Sequence, residues 1–343
     1  MNSSAWSAVS AQLATIFADE TVSVENAVLP TQERRLLVAL TIGVAAGLFS
    51  WLMQQRSGAH PDFEYVHTAA RFFLEGQNPY HVMEGPPGSS APFDQPLFYP
   101  FTTLLVAFPF APFSIAVATG LFIAISAAAL AYCITKDGMW RLHIFASAPF
   151  VLAATVGQFS PLLCVMAFAP AMGFLAAIKP NVGLALFLRR PNVKTVVGSL
   201  LLLAVSIVVF PTWPRDWLES LRRSVTDETH RAPVLQAGGF LLLLSVLAWR
   251  KAAGRLLLVL SLVPQALLFY DQLFLWLIPR TRNQSVFLTA ASQAGMITWY
   301  LSLGPNDNPV AAAYPFVVPF LFLPALGILL WQFWSDRQAP ACP

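Results

Sequence analysis

Carboxylates and histidines are scarce in this chain and concentrate in one polar segment, which is therefore the first place to look for chemistry. The segment runs from Gln54 to Leu97 and holds five of the 17 acids and three of the five histidines. These residues are Asp62, Glu64, Glu75, Glu84, Asp94, His60, His67 and His81. A carboxylate at the mouth of a membrane cavity could act as a general base that takes a proton from an attacking hydroxyl.

Asp62 is the candidate for that base, and it also has a structural interpretation. Apolar residues recur at helical spacing from Phe63 to Phe73, directly after Pro61-Asp62, so we predict a helix that lies on the membrane surface. A carboxylate at the start of such a helix would serve as its N-cap. The two roles are compatible.

Asp271 is the only acid deep inside an apolar block, in the string LLFYDQLFLW. A carboxylate there costs several kcal/mol unless it faces a cavity or a partner, so a functional role is the default hypothesis. The alternative is a structural bond to an arginine, a tyrosine or a backbone amide freed at a break after Pro264. Lys179, in AAIKPN, ends a predicted span, and the pattern favours a topological or lipid head-group role.

Two further polar stretches have both a structural and a functional interpretation. Gly157-Gln158 could be a plain turn or could place an amide near the chemistry. The stretch from Pro211 to Pro233 could form an amphipathic surface helix with Trp213 and Trp217 at the interface. Alternatively, its arginines could hold a lipid-linked phosphate through bidentate guanidinium contacts. Those arginines are Arg215, Arg222, Arg223 and Arg231.

The composition decides which elements must position these side chains. Of 343 residues, 57% are hydrophobic and 11% are charged, against roughly a quarter charged in a soluble domain. The apolar residues form blocks about 16 to 23 long, the length that a ~30 Å hydrocarbon layer requires. We therefore predict an all-α, polytopic helical membrane protein with about ten spans. A net charge of +3 offers no basic surface for nucleic acid.

The distribution of Lys and Arg predicts the orientation. Arg34-Arg35 precede the block from Leu36 to Met53, so the N-terminus is expected in the cytoplasm and Gln54 outside. We predict a cytoplasmic tail at residues 1–33, one transmembrane domain at 34–337 and a C-terminal tail at 338–343. Both termini face the cytoplasm and the site faces outward from the inner (plasma) membrane.

The predicted spans follow the apolar blocks, with one ambiguous block near the end. From Leu256 to Pro279 a single crossing would leave Arg280 and Arg282 outside, so Pro264-Gln265 could instead mark a re-entrant pair of half-helices. The stretch from Phe98 is interpreted as an interfacial segment that feeds a span from Pro112. The spans are Leu36–Met53, Pro112–Thr135, Leu142–Val156, Phe159–Ile178, Thr195–Phe210, Val234–Trp249, Leu256–Pro279, Val286–Leu303 and Ala313–Trp334.

Motifs of soluble catalysis are absent from the sequence. We find no G-x-S-x-G, no H-E-x-x-H and no phosphate-cradling glycine loop. Cys133 and Cys164 lie in apolar blocks and Cys342 in the tail, without metal-ligand spacing. We therefore expect no metal site and no cofactor, and any enzyme would use a lipid-borne donor.

An ordered set of strings resembles a known family. In chain order these are DFEYVHTAARFFLEGQNPY, LFYPFTTLLVAFPFAP, VGQFSPLL, AAIKPNVGLALFLRR and VPQALLFYDQLFL. The set is similar to the polyprenyl-phosphate-sugar-dependent C-type glycosyltransferases of glycosyltransferase family 87, which include mannosyltransferases acting on phosphatidylinositol mannosides. The similarity extends from Asp62 to Leu275. One motif departs from the family, whose Tyr-Pro-Pro reads Tyr99-Pro100-Phe101 here.

The resemblance implies a C-type fold and a hexosyltransferase activity on the outer face. A mannose-like hexose would pass from a polyprenyl-phosphate sugar donor to a lipid or glycan acceptor with inversion, and Asp62 would be the catalytic base. Membrane lipids are the other expected partners. Arg71 or an arginine of the second external loop is expected to neutralise the phosphate. The implied donor- or acceptor-binding residues are Tyr65, Arg71, Asn78, Tyr80, Tyr99, Gln158, Lys179 and Asp271.

Two rival functions remain open at this point. In a transporter or flippase of a lipid-linked substrate, Asp271 and Lys179 would line a pathway open alternately to each side. In a non-catalytic assembly subunit, Asp62 would be packed away from any cavity. A cavity open only outward with Asp62 on its rim would favour sugar transfer.

Overall fold

A computed structural model describes residues 30–57, 62–85, 91–93, 95–223, 230–305 and 307–338. Helix dominates these residues, as predicted, and the strands found among them are two residues long. The predicted tails, residues 1–33 and 338–343, lie almost wholly outside the described residues. Parts of the Gln54–Leu97 loop, including His60 and Asp94, lie outside them as well.

The helical elements are mostly short. The α-helices are α1 Gln32–Ser57, α2 Asp62–Leu74, α3 Pro79–Val82, α4 Phe101–Ala107, α5 Ile115–Ile134, α6 Ala148–Val156, α7 Ser160–Val165, α8 Pro180–Arg189, α9 Val193–Val209, α10 Trp213–Arg223, α11 Ala252–Leu262, α12 Arg282–Ser302, α13 Pro309–Val317 and α14 Leu323–Gln338. The 3-10 helices are Phe108–Phe110, Thr135–Asp137, Met139–Ala146, Pro170–Ala177, Pro233–Leu235, Gly239–Ala248 and Tyr270–Leu277, and a π-helix spans Val318–Phe322. Strands β1 His230–Arg231 and β2 Gln265–Ala266 pair antiparallel.

Among the residues that the structure describes, three helices are long and apolar enough to cross a membrane: Gln32–Arg56, Ile115–Asp137 and Pro309–Gln338. Two bent pairs, Met139–Val156 and Val193–Arg222, raise the number to five if each pair is one span. Of the other predicted blocks, Val286–Leu303 lies, as far as Ser302, in the unbroken 21-residue helix α12. The rest form helices shorter than the roughly 20 residues that a straight span needs. The helical membrane class agrees with these segments, and the figure of about ten spans stays a prediction.

Helices α1 and α5 pack closely through small residues. A side chain added at Gly43 or Gly47 would lie 2.8 Å from the carbonyl oxygen of Ala124 or Gly120, respectively. Such residues let two helix backbones approach, which is a common way to pair helices in a membrane. At one end of α1, Arg35 donates to the Tyr132 carbonyl of α5. At the other end, Gln54 donates to the Thr155 carbonyl of α6.

The predicted surface helix in the first polar loop is present as α2 and begins at Asp62. Its apolar face includes Phe63, Val66 and Ala70, which are fully buried. The Phe63 ring stacks on Phe122 of α5 with centroids 4.5 Å apart. Helix α2 is therefore fixed to the helix bundle through the face that the sequence predicted to be apolar, and this contact sets the position of Asp62.

The predicted span from Phe159 to Ile178 is wrong. A straight helix of this length would separate its ends by about 30 Å, yet the Lys179 Nζ lies 3.3 Å from the Oε1 of Gln158. The chain leaves in α7 and returns in the 3-10 helix Pro170–Ala177. Pro170 helps explain the reversal, because a proline cannot continue the preceding helix.

The block from Leu256 to Pro279 is broken at the predicted proline, and its second half runs back toward the end where the first half begins. Helix α11 ends at Leu262, β2 follows Pro264, and the 3-10 helix Tyr270–Leu277 runs back. Lys251 before this segment and Arg280 after it both pair with Asp336, so the chain enters and leaves at the same end. The break is stabilised by the short β1–β2 pairing with the second polar loop.

Candidate functional site

Five of the residues singled out by the sequence meet in one cluster, although they are far apart along the chain. Asp62 begins α2, Tyr99 precedes α4, Gln158 follows α6, Lys179 precedes α8 and Asp271 lies on the 3-10 helix Tyr270–Leu277. We call this set the Asp62 cluster. Its members come from element ends, where a turn can aim a side chain inward.

Gln158 connects the two halves of the Asp62 cluster. Its Nε2 donates to the Oδ2 of Asp62 and lies 3.4 Å from the Tyr99 hydroxyl, while its Oε1 accepts from Lys179. Gly157 makes this placement possible, since it ends α6 in the left-handed conformation at φ 72°. The turn is therefore more than a connection, because it places a buried amide between two charged groups.

Lys179 and Asp271 form a buried ion pair. The Lys179 Nζ is 2.6 Å from the Asp271 Oδ1, which also accepts from the Ser160 hydroxyl at 3.2 Å. Asp271 is 1% exposed and the Lys179 side chain 11%. The favoured topological or head-group role for Lys179 does not describe this contact, because the preceding segment folds back instead of crossing.

One oxygen of Asp271 is left without a partner. Its Oδ2 is buried and accepts no hydrogen bond within the part of the chain that the structure describes. A buried carboxylate oxygen normally has a donor, and leaving it unpaired is unfavourable by about 1–3 kcal/mol. The Oδ2 could accept a hydrogen bond from a ligand hydroxyl.

The Asp62 carboxylate is held by side chains and not by its own helix. Besides the Gln158 amide, it has a side-chain hydrogen bond with Tyr270. Burial raises the pKa of Asp62, and the bond from Gln158 and the charge of Lys179 offset only part of that effect. The residue nevertheless retains a partly exposed surface. These contacts differ from those of the predicted N-cap, in which the carboxylate would accept from backbone amides.

The phenol groups of Tyr99 and Tyr270 beside Asp62 stay protonated. Burial, together with the charges of Asp62 and Asp271, raises the pKa of Tyr99 well above its usual value. Two carboxylates and one ammonium group thus share a site with neutral phenols. Such a set can take up a proton at a carboxylate and can orient a hydroxyl toward it.

Four of the predicted binding residues lie outside the Asp62 cluster. Tyr65 stacks on Phe93 with centroids 3.9 Å apart, and Arg71 is exposed in the last turn of α2, about 14 Å along the helix from Asp62. Asn78 caps α3 and donates to the Oδ2 of Asp216 at 2.8 Å. The Tyr80 hydroxyl donates to the Tyr99 carbonyl, which makes Tyr80 a support for Tyr99.

Ser160 and Tyr270 contact the Asp62 cluster and were not predicted as site residues. Both carry hydroxyls and lie near predicted residues in the sequence. Ser160 follows Gln158 by two positions, and Tyr270 directly precedes Asp271. Their signal was therefore available in the strings VGQFSPLL and LLFYDQLFL. Neither residue type is unusual in an apolar block, so only the fold distinguishes them.

The second polar loop forms an amphipathic helix at the edge of the site, which was one of the two interpretations of this stretch. In α10 the Trp217 indole donates to the Phe98 carbonyl at 2.8 Å. Arg215 and Arg222 are exposed, and Arg231 lies over the Tyr314 ring. The Arg223 side chain is outside the described part of the chain. No contact between these three described arginines and the Asp62 cluster is seen.

Within the described ranges, no group of three or more His, Cys, Asp or Glu residues could hold a metal ion. No protein family, curated protein or solved structure matches the chain.

Proposed function

We propose that this chain is a membrane glycosyltransferase that moves a mannose-like hexose from a polyprenyl-phosphate donor to a lipid or glycan acceptor, with Asp62 as general base. The observation that carries the proposal is the position of the Asp62 carboxylate, held by Gln158 and Tyr270 beside the charge of Lys179. The ordered family-like strings, which contribute all of these residues, supply the substrate class.

The reaction would be a single displacement. The acceptor oxygen attacks the anomeric carbon as its proton passes to Asp62, and the bond between that carbon and the phosphate oxygen breaks. Polyprenyl phosphate leaves with the electron pair, and the sugar configuration inverts. The raised pKa of Asp62 favours this role, because a carboxylate with a higher pKa is a stronger base.

Lys179 would stabilise the departing phosphate. In the present structure its ammonium group is paired with Asp271, and its side chain is 11% exposed. A phosphate carries more charge than one carboxylate oxygen and accepts several hydrogen bonds, so it could share this ammonium group with Asp271. Charge that develops on the leaving oxygen would then be stabilised by an ammonium group that is largely buried.

The transporter hypothesis has one observation in its favour: the broken segment from Leu256 to Pro279 carries Asp271, which forms a buried ion pair with Lys179. Interrupted helices that bring charged groups together are common in transporters, where the site lies near the bilayer midplane. Here the Asp62 cluster adjoins Gly157, whose neighbour Thr119 is about one turn inside the start of α5. A site near one end of a span supports transfer at the surface.

The test is an assay of the purified chain in proteoliposomes with polyprenyl-phosphate mannose, glucose and arabinose, each labelled in the sugar. Lipids and glycans extracted from the cell envelope supply the acceptor. We expect one donor to be cleaved to polyprenyl phosphate and an inverted glycoside, detected by mass spectrometry. Movement of intact donor across the bilayer without cleavage would support the transporter and contradict the transferase.

A further inference from the structure

The end of the molecule opposite the Asp62 cluster carries three guanidinium groups close to one another. Arg141 lies on the 3-10 helix Met139–Ala146, and Arg189 and Arg190 close α8, about 15 Å along that helix from Lys179. Arg189 interacts electrostatically with both Arg190 and Arg141, and Arg141 with Arg190. We call these three residues the arginine cluster. The charge pattern of the sequence predicts that this end faces the cytoplasm.

Like charges in this arrangement are poorly compensated. Asp137 is the carboxylate that acts on Arg141, and it is exposed. Arg141 and Arg189 are themselves half-buried, so water screens their mutual repulsion incompletely. An anion bound between them would remove that repulsion.

Hydrogen-bond donors in the arginine cluster are also unused. The Nε atoms of Arg141 and Arg189 are buried and have no partner among the described residues. Arg189 makes one long bond, from Nη1 to the Ala167 carbonyl at 3.5 Å. The Arg141 guanidinium lies 4.4 Å from the centroid of the Trp140 ring. Each guanidinium has five N–H donors in a fixed fork, so most of this capacity is open.

Arg255, at the same end, shows how the fold satisfies an arginine whose role is structural. Its Nε donates to the Leu188 carbonyl and its Nη2 to that of Arg189, at 2.8 and 2.9 Å. Its Nη1 donates to the carbonyls of Trp249 and Arg250. Backbone acceptors thus hold every nitrogen of Arg255 and join the ends of two helices. Arg141 and Arg189 differ because their Nε atoms have been left without such acceptors.

We propose that the arginine cluster binds a phosphate group, supplied by an anionic phospholipid or by a soluble phosphate. Phosphate oxygens match the guanidinium fork and accept charge-assisted hydrogen bonds from it in pairs. A small crevice beside Arg141 is lined by Trp140, Phe168 and Trp276, so apolar side chains border the proposed site on one side. This site is separate from the Asp62 cluster, and its existence does not depend on the proposed function.

The test uses the full chain purified in a neutral detergent and follows its thermal unfolding midpoint. One arm adds dioleoylphosphatidylglycerol, with dioleoylglycerol, which lacks the phosphate, as reference. A second arm adds sodium phosphate, with sodium chloride at equal ionic strength as reference. We expect at least one phosphate probe to raise the midpoint above its reference. A response to the lipid alone identifies a head-group site, and a response to sodium phosphate alone a soluble ligand.

The deciding variant carries Arg141→Gln together with Arg189→Gln. It should need about tenfold more probe for half of the shift, because it loses charge-assisted hydrogen bonds. Arg34→Gln removes an exposed positive charge on α1 and should behave like the unchanged chain. If the glutamine pair does not fold, Arg141→Lys with Arg189→Lys keeps the charge and should still bind several-fold more weakly. The proposal is overturned if neither probe shifts the midpoint, or if the substituted chains respond at unchanged concentrations.

Discussion

At the scale of single residues, the Asp62 cluster depends on a few side chains that each have more than one partner. Gln158 contacts Asp62, Tyr99 and Lys179 at once, and Lys179 is shared between Gln158 and Asp271. The sequence could identify Asp271 as unusual, because it is a lone acid in an apolar block. It could not identify the partner, since Lys179 lies 92 positions away and its pairing depends on a fold-back that composition does not encode.

Removing one member of the Lys179–Asp271 pair should destabilise the fold. In Asp271→Asn the ammonium group stays buried without its counter-charge, and such changes cost about 3–5 kcal/mol. Replacing both residues, with Asp271→Leu and Lys179→Met, should cost less than the single change. Ser160→Ala is the control and should cost about 1 kcal/mol, because it removes one hydrogen bond. Chemical denaturation in detergent measures each free energy of unfolding, and an Asp271→Asn chain as stable as the original would contradict the pairing.

At the scale of elements, short helices and turns place the functional side chains. Proline signals predicted part of this correctly, since Pro264 marks the observed break and Pro61 precedes the helix that begins at Asp62. The reversal near Pro170 was missed, because an apolar block of 20 residues fits a span as well as it fits a hairpin. Hydrophobicity shows that a segment is buried or in contact with lipid. It does not show whether the chain crosses the membrane or turns back.

The Gly157 turn is an element-scale feature on which the position of Gln158 depends. A side chain there would lie 2.7 Å from the Phe63 Cβ and from the Thr119 Cγ2, in a left-handed conformation. We expect Gly157→Ala to lower the free energy of unfolding by at least about 1–2 kcal/mol from backbone strain alone, with the clash adding to it. Because Phe63 adjoins Asp62 and Gly157 adjoins Gln158, sugar transfer should fall as well.

Gly327→Ala is the matched control for that substitution. Gly327 lies within α14, and a side chain added there meets nothing within 4 Å. The change should leave the thermal midpoint unaltered or raise it slightly, since alanine favours helix over glycine by about 1 kcal/mol. Equal effects of the two substitutions would argue against a special role for the Gly157 turn.

At the scale of the whole molecule, the fold has two chemically different ends. One end holds the Asp62 cluster, and the other holds the arginine cluster and the Asp336 ion pairs. The positions of Lys and Arg in the sequence predict that the second end faces the cytoplasm. Lys179 lies at the other end, because the chain before it folds back and does not cross.

Cysteine labelling tests the arrangement of the two ends. With Cys133, Cys164 and Cys342 replaced, we expect Pro180→Cys in intact cells to react with a membrane-impermeant maleimide, because Pro180 is exposed beside the Asp62 cluster. Arg215→Cys should react likewise, and Lys194→Cys only after permeabilisation. If Pro180→Cys reacted only after permeabilisation, as expected for Lys194→Cys, the segment from Phe159 to Ile178 would have to cross the membrane.

The most direct test of the central claim is the rate at which labelled polyprenyl phosphate is released by the unchanged chain and by Asp62→Asn. Asparagine keeps the shape of the side chain but cannot take the acceptor's proton, so we predict a rate at least about 100-fold lower with donor binding retained. Glu75→Gln, which neutralises an exposed acid in the same polar loop, should leave the rate unchanged. Equal rates for Asp62→Asn and the unchanged chain would contradict the assignment of Asp62 as the base.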